Sequence, residues 1–258
     1  MAQLKNTGER VIEPENCQSD INYLRHMAAY AFALQFVKDR VILEDGCGSG
    51  YGSYYLAANG AKKVVGIDVA AEAIEYAKSR YRRENLEFIH MDSTELSFSD
   101  ESFDVVTSFQ VIEHIENTDK FLLQMVRVLK KQGTALISTP NKQTYSPNTV
   151  EPENPFHVRE FYLREFRELL FRYFSEVEIL GVNQSDRMDV IEKAIESSLR
   201  SRVKKILRKV GFGFLVRNFP KCLTADPYAG QGINSSDFMV AQCDPTKAID
   251  LFAICRKK

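Results

Sequence analysis

Long apolar runs are absent from the sequence, and no stretch approaches the roughly 18–20 apolar residues that a membrane-spanning helix needs. Residues 1–16, MAQLKNTGERVIEPEN, contain no apolar core segment, so we expect no signal peptide. The five cysteines are odd in number, widely scattered and without a CxxC pair, a pattern that predicts neither a zinc site nor a disulfide framework. Together these absences predict a cytoplasmic protein with reduced thiols.

An excess of either charge is also lacking, because 34 lysines and arginines face 35 acids and leave a net charge of −1. This balance gives no global reason to expect a polyanionic partner, although local charge can still matter. We do not expect nucleic acid binding, because no basic platform interleaved with aromatic residues is recognisable. Internal repeats and low-complexity tracts are missing as well. The 258 residues, 44% of them hydrophobic, are enough for one large domain or one domain with an elaboration.

Short apolar runs alternate with helical patterns from about residue 20 to residue 140. The runs predict five strands, at 41–44, 63–68, 86–91, 103–109 and 133–139. The helix before the fifth strand is expected to begin at Asn117 or Thr118 and to stop at Gly133. Continuous apolar strands separated by helices indicate an α/β fold with a doubly wound parallel sheet, covered on both faces.

A compositionally distinct stretch, 185–245, separates a predicted strand at 176–184 from a final strand at 249–256. We predict one domain made of residues 1–184 and 246–258. The stretch 185–245 is predicted to be a helical insertion or lid that contacts the substrate or a partner.

Carboxylates follow three consecutive predicted strands, where ligands of such sheets bind. The first strand runs into VILEDGCGSGYG, which has the spacing E-x-G-x-G-x-G with Glu44 as its acid. The dinucleotide pattern GxGxxG does not fit, because its third glycine would fall on Tyr51 or Ser53. Asp68 ends the second strand, where it can accept both hydroxyls of a ribose, and Asp92 follows the third.

The sequence resembles class I S-adenosylmethionine-dependent methyltransferases. The matching segments are VILEDGCGSG (41–50), VVGID (64–68), MDS (91–93), FDVVTSFQVIEHI (103–115) and LKKQGTALISTPN (129–141). The resemblance implies a Rossmann-like seven-stranded sheet of order 3-2-1-4-5-7-6 whose last strand is antiparallel. It also implies the cofactor S-adenosyl-L-methionine and the product S-adenosyl-L-homocysteine.

By position, the resemblance places Glu44 and the turn Gly46–Gly50 at the methionine part, Asp68 at the ribose, and Asp92 with Ser93 at the adenine. The helix segment HMAAYAFA (26–33), together with the GYGSYYLA turn, resembles methyltransferases associated with polysaccharide and cell-surface sugar biosynthesis. The cofactor-binding residues implied are His26, Tyr30, Glu44, Gly46, Cys47, Gly48, Gly50, Tyr51, Asp68, Val69, Asp92, Ser93 and Phe109.

Asp45 departs from the family pattern, which usually has an apolar residue between the acid and the first glycine. Strand alternation points Glu44 and Asp45 to opposite faces, so only one of them can be the motif acid. Asp45 is expected either to contact the N-terminal helix, through Arg25 or His26, or to take part in the cofactor site.

Two histidines are candidates for a general base in methyl transfer. His114 follows the fourth strand in QVIEH, and His157 lies after the fifth in NPFHVREF. Alternatively, His114 packs the start of a helix and His157 caps the helix that follows. Glu113 and His114 also resemble the ExxEH signature of magnesium-using ubiquinone-biosynthesis and small-RNA methyltransferases, but Gln110 replaces the first acid. No metal ligand is therefore assigned.

Eight lysines or arginines and no acid lie between Glu196 and Asp226. The basic helix predicted at 199–210 is either a peripheral membrane or phosphorylated-substrate contact, or a lid helix with a solvated basic side. The function predicted is methyl transfer to an oxygen or nitrogen of a small molecule or sugar-containing metabolite. The alternatives are a magnesium-assisted RNA 2′-O- or quinol O-methyltransferase and a catalytically silent cofactor-binding partner protein.

Overall fold

The computed structural model describes residues 20–195, 231–242 and 244–257. They form one eight-stranded sheet of order β3-β2-β1-β4-β5-β8-β6-β7. The strands are β1 Val41–Asp45, β2 Lys63–Asp68, β3 Leu86–His90, β4 Phe103–Phe109, β5 Leu129–Pro140, β6 Glu176–Gln184, β7 Phe238–Ala241 and β8 Asp250–Arg256. Strands β1 to β5 are parallel, whereas β8 runs antiparallel to β5 and β6, and β7 antiparallel to β6.

The helices alternate with the strands along the chain. They are α1 Ile21–Ala33, α2 Tyr51–Ala58, α3 Ala71–Arg80, α4 Thr118–Val128, α5 Lys142–Tyr145 and α6 Leu163–Phe171. Residues 186–195 are also helical. Within the described ranges, no helix is both long and apolar enough to cross a membrane.

The predicted doubly wound sheet is confirmed, with one strand more than expected. The order β3-β2-β1-β4-β5 and the antiparallel β8 between β5 and β6 agree with the prediction. The additional strand β7 lies inside the stretch 185–245 and extends the sheet beyond β6. Its four residues are too few to show a period, which explains why a helical insertion was predicted throughout. The basic helix predicted at 199–210 lies outside the described residues.

The predicted glycine stop of the fourth helix is wrong. Helix α4 ends at Val128, and the chain enters β5 at Leu129, opposite Phe103 of β4. Gly133 lies within β5, where a Cβ would come 2.7 Å from Leu129 Cγ and 2.8 Å from the Lys130 carbonyl oxygen. The glycine therefore serves a tight irregularity of the strand.

Two apolar cores cover the two faces of the sheet. On one face, α4 and α6 pack Phe121, Met125 and Phe166 against the strands. On the other, α1 and α2 contribute Leu24 and Leu56, among others. Consecutive residues of β1 serve opposite cores, as the two-residue period of a strand requires. The sheet is thus rigidly held, and the carboxyl ends of its parallel strands open at one edge.

Candidate active site

A cavity of about 640 Å³ opens at the carboxyl ends of the parallel strands β1 to β5. This volume lies within the range of small-molecule sites, roughly 300–1,000 Å³. Most of the cofactor residues predicted from the sequence line its wall: His26, Tyr30, Gly46, Cys47, Gly48, Tyr51, Asp68, Val69, Asp92, Ser93 and Phe109. Both candidate bases, His114 and His157, line it as well.

The turn after β1 needs glycine for two different reasons. Gly46 has a φ of 81°, and a Cβ there would lie 2.3 Å from Val111 Cγ2, so no side chain fits between the turn and the loop after β4. Gly50 has a φ of 89° and precedes α2. A Cβ on Gly50 would come 2.6 Å from the Ala77 Cβ, which places this residue in the packing under the turn and away from the cavity wall.

Asp68, at the end of β2, is held by two backbone amides. Its Oδ2 accepts from the Gly48 amide at 2.8 Å, and its Oδ1 accepts from the Ala70 amide at 2.8 Å. The first of these bonds joins the glycine turn to the end of β2. Because a carboxylate has about four acceptor positions, this orientation is compatible with further bonds to hydroxyl groups in the cavity.

Asp92 presents an ionised carboxylate at another part of the wall. Its Oδ1 accepts from the Thr94 amide at 2.7 Å and from the Thr94 hydroxyl at 2.8 Å. These bonds lower the pKa of Asp92 from its ordinary value, the amide contributing most. The group therefore acts as a hydrogen-bond acceptor at neutral pH. The adjacent Ser93 donates its hydroxyl to Asp45.

Glu44 is buried behind the cavity wall and does not line it. The hydroxyls of Tyr30 and Ser53 donate to its two carboxylate oxygens. Burial raises the pKa of Glu44 to about 7, although both hydroxyl bonds oppose the rise. Tyr30 is itself part of the wall, so this hydrogen bond connects Glu44 to the cavity.

Helix α1 lies close to α2 at the cavity. A Cβ on Gly52 would stand 2.0 Å from Tyr30 Cζ, which explains the second glycine of the GYG segment. His26 Nδ1 lies 2.7 Å from the Tyr51 hydroxyl. Burial, together with the nearby Arg25, lowers the pKa of His26 to about 3, so this histidine is neutral and a weak base.

Arg25 attaches α1 to the start of β8 by a two-pronged ion pair with Asp250. Its Nε donates to Asp250 Oδ2 at 3.1 Å, and its Nη2 donates to Oδ1. The side chains are 10% and 1% exposed. Asp45 does not contact α1 through Arg25 or His26, so that expectation is wrong. These two residues are engaged with Asp250 and Tyr51.

The two candidate bases lie in one cluster but differ in what holds them. His114 donates from Nδ1 to the Phe156 carbonyl at 2.9 Å, so its neutral ring has the lone pair on Nε2. His157 has Nδ1 3.0 Å from Glu160 Oε1 and Nε2 2.9 Å from Asn154 Nδ2. When Nδ1 carries the proton and donates a hydrogen bond to the Glu160 carboxylate, Nε2 accepts a hydrogen bond from the Asn154 amide group. Both rings line the cavity, so both histidines stay candidates for the base.

Backbone bonds join the loops that carry these histidines. The Val158 and Arg159 amides both donate to the Glu113 carbonyl, at 2.8 and 3.1 Å. The Glu113 side chain is fully buried and accepts from the Thr139 hydroxyl at 3.0 Å. The loops after β4 and β5 thus form one fixed wall of the cavity.

The chain is similar in sequence to one family model and to several known proteins. A family model described as Methyltransferase domain matches residues 43–137. The chain is 34% identical over 258 residues to a probable S-adenosylmethionine-dependent methyltransferase of Mycobacterium tuberculosis, covering 98% of this chain and 89% of the relative. It is 39% identical over 102 residues to the ubiquinone biosynthesis O-methyltransferase of Rickettsia akari, covering 39% of this chain and 40% of the relative.

The chain belongs to the S-adenosylmethionine-dependent methyltransferases. A solved structure from Thermotoga maritima, described as a possible histamine N-methyltransferase, has a TM-score of 0.59. It is 17% identical and covers 95% of both chains, which shows the fold alone. The predicted fold, enzyme class and cofactor are thereby confirmed.

The residues present fit S-adenosylmethionine, a cofactor that combines an adenosine with a cationic methionine part. Gly46 and Val111 leave a backbone surface that a side chain would fill. Asp68, which the sequence predicts at the ribose, is oriented by two backbone amides, and Asp92, which it predicts at the adenine, is a charged acceptor on the wall. The roles of the individual cofactor residues stay predictions from the sequence, and Glu44 and Gly50 lie behind the wall that the other predicted cofactor residues line.

Several wall residues of the methyltransferase were not identified as cofactor or catalytic residues from the sequence. They are Asn22, Arg25, Ser49, Thr94, Gln110, Val111, Glu113, Ile115, Glu116, Asn117, Pro140, Tyr145 and Phe156. Gln110 has a φ of 57°, a left-handed conformation that is uncommon outside glycine and occurs at functional sites. Tyr145 ends the short helix α5, Phe156 lies in the loop that follows, and no local pattern predicts the path of this segment.

Proposed function

We propose that this methyltransferase transfers a methyl group to an oxygen or nitrogen of a small-molecule or sugar-containing metabolite. The observation that supports this most is the orientation of His114. Its Nδ1 is committed to the Phe156 carbonyl, and the ring lines the same cavity as Asp68 and the glycine turn. Bound S-adenosylmethionine supplies an electrophilic methyl group on a sulfonium.

The protein's own part is positioning and proton removal. An acceptor hydroxyl or amine held against His114 would give its proton to Nε2 while its lone pair forms the bond to the methyl carbon. The methyl–sulfur bond would break at the same time, its electron pair would stay on sulfur, and S-adenosylhomocysteine would leave. The glycine turn and Asp68 hold the donor, since alignment of the reacting atoms is the main requirement of such a displacement. Buried His26 is neutral and a weak base, so it suits a role in covering the cofactor.

A ring-shaped acceptor is supported by the aromatic side chains at the mouth. Tyr145 and Phe156 line the cavity while remaining 38% and 51% exposed. Flat, partly exposed aromatic groups are typical of sites that take organic rings. A sugar-containing acceptor is further suggested by the resemblance of the segment 26–33 to sugar-associated methyltransferases.

A methyl-transfer screen tests the proposal. Labelled S-adenosylmethionine is incubated with nucleotide sugars, lipid-linked glycans, small amines, quinol precursors and small RNAs. We expect transfer to a sugar-containing or other small acceptor, at an oxygen or nitrogen. Transfer to RNA alone would contradict the proposal, and cofactor binding without any turnover across the panel would favour the catalytically silent alternative.

A metal-assisted O-methyltransferase is a second candidate, supported by one specific cluster. Single ligand atoms of Glu113, His114 and His157 all lie within 4.8 Å of one another. Both histidines turn Nδ1 to an oxygen, the Phe156 carbonyl and the Glu160 carboxylate, as metal-binding imidazoles do. One carboxylate with two imidazoles suits Mn²⁺, Fe²⁺ or Zn²⁺ better than Mg²⁺.

Measurements of metal dependence are expected to distinguish base catalysis by His114 from the metal-assisted reaction. If the second is correct, chelation abolishes turnover, Mn²⁺ restores it better than Mg²⁺, and calorimetry shows Mn²⁺ binding that Glu113→Gln removes. If His114 is a base, chelated enzyme keeps its full rate. Asp119→Asn is a suitable control, because this exposed acid lies on α4, outside the cavity wall.

A further inference from the structure

Asp45 is a buried acid at a position that the family normally fills with an apolar residue. It ends β1 after the buried Ile42 and Leu43, and it is only 1% exposed. It does not line the cavity, whereas its partner Ser93 does. The hydroxyl of Ser93 donates to Oδ1, while Oδ2 has no hydrogen-bond partner within the part of the chain that the structure describes.

The hydrogen bond between Asp45 and Ser93 links the end of β1 to the loop after β3, a strand that is not a neighbour of β1. Strand β2 lies between β1 and β3 and pairs with both, so no backbone ladder joins β1 to β3. The bond joins residues 48 positions apart in the chain. It runs from the end of β1, past the Asp68 end of β2, to the loop that follows β3. The glycine turn and the segment Asp92–Ser93 are therefore fixed to each other through a side chain.

We propose that Asp45 is a positioning residue that holds the segment Asp92–Ser93, through the Ser93 hydroxyl, in the place where it recognises the adenine of the cofactor. Ser93 contributes to the cavity wall, and Asp92 presents its carboxylate there beside it. A shift of Ser93 would move Asp92 with it, because the two are adjacent. The base-recognising end of the site thus depends on an acid that never touches the ligand.

The electrostatic surroundings explain why an acid at this position costs stability. Burial raises the pKa of Asp45 to about 7, the Ser93 hydroxyl opposes this, and the carboxylates of Asp68 and Asp92 add to it. Cys47 is the other titratable group that faces it. Between about pH 4, near the pKa of an unfolded aspartate, and pH 7, the folded protein binds more protons than the unfolded chain. Stability from this group is therefore lost as pH rises through that window.

The stability cost of the buried Asp45 carboxylate provides a measurement that distinguishes a positioning role from a purely structural role. Leucine has the same branched skeleton as aspartate but neither accepts a hydrogen bond nor carries a charge. Asparagine retains an acceptor for Ser93 without the charge. Asp45→Leu should remove both the buried charge and the hydrogen bond from Ser93. Asp45→Asn should remove the charge and keep the hydrogen bond.

The experiment measures binding of S-adenosylhomocysteine and of S-inosylhomocysteine, which lacks the adenine amino group, together with melting temperatures at pH 5 and pH 8. We expect Asp45→Leu to lose about tenfold in affinity for S-adenosylhomocysteine, the size of one charge-assisted hydrogen bond. Its preference for the adenosyl over the inosyl ligand should shrink by a similar factor. Asp45→Asn should stay close to the unmodified protein in both, and both variants should melt no lower than it at pH 8.

Ser93→Ala provides a second, independent route to the same broken contact and should reproduce the loss of discrimination. The proposal is overturned if Asp45→Leu binds both ligands as the unmodified protein does. It is also overturned if the two affinities fall by the same factor, since general damage to the site would not be selective for the base. A fall in melting temperature at pH 8 that accompanies the affinity loss would likewise assign Asp45 a structural role alone.

Discussion

Asp68→Ala is expected to lower the affinity for S-adenosylhomocysteine about a thousandfold, because two hydrogen bonds from ribose hydroxyls to a charged group contribute roughly 1.5–3 kcal/mol each. The carboxylate is 8% exposed and is oriented by the Gly48 and Ala70 amides. Its removal therefore also frees the Gly48 amide, which shapes the turn at the methionine part. Isothermal calorimetry measures the change directly and needs no acceptor.

The matched control for this variant is Asp100→Ala. Asp100 also accepts a hydrogen bond, from Arg127 at 2.8 Å, but its side chain is 74% exposed and is absent from the cavity wall. Its affinity should equal that of the unmodified protein. Unchanged binding in Asp68→Ala, with a melting curve that shows a folded protein, would contradict the assignment of this carboxylate to the ribose.

The sheet could be predicted from the sequence because each of its parallel strands is a continuous apolar run. The run KVVGID became β2 without a shift at either end, and EVEILGVNQ became β6 in the same way. The apolar middle of each run is buried, at 64–68 in β2 and 179–182 in β6, so local hydrophobicity and tertiary position agree. Strand β7 and the end of α4 were missed because their limits come from pairing with β6 and with β4, which no local pattern records.

The cavity wall was predictable mostly at the ends of strands and in the segments that match the family, whereas Tyr145 and Phe156 were not predicted. Asp68 and Asp92 follow β2 and β3, so the topology alone brings them to one edge. The burial of Glu44 was not foreseen, because it depends on Tyr30 and Ser53 approaching from two helices. The partner of Asp45 was missed for the same reason: Ser93 is distant in sequence and lies beyond an intervening strand.

His114→Gln is expected to lower kcat about 10²–10⁴-fold while leaving the affinity for S-adenosylhomocysteine unchanged, since a general base contributes a factor of this size. The ring is held by the Phe156 carbonyl and contacts the His157 ring edge-on, with centroids 5.0 Å apart. His157→Gln provides the comparison. Because Glu160 and Asn154 hold both of its nitrogens, this change should chiefly lower the melting temperature and affect kcat less.

An acceptor that has already lost its proton distinguishes a base from a residue that only shapes the wall. An analogue of the accepted substrate whose pKa lies below the assay pH is present as its anion. No proton then needs to be removed from it in the transition state. The loss caused by His114→Gln should then shrink towards the level of His157→Gln. An equal loss with the neutral and ionised acceptors would show that His114 positions the substrate or binds a metal. Chelation of the unmodified enzyme would decide between these two roles, because turnover depends on the ion only if His114 is a metal ligand.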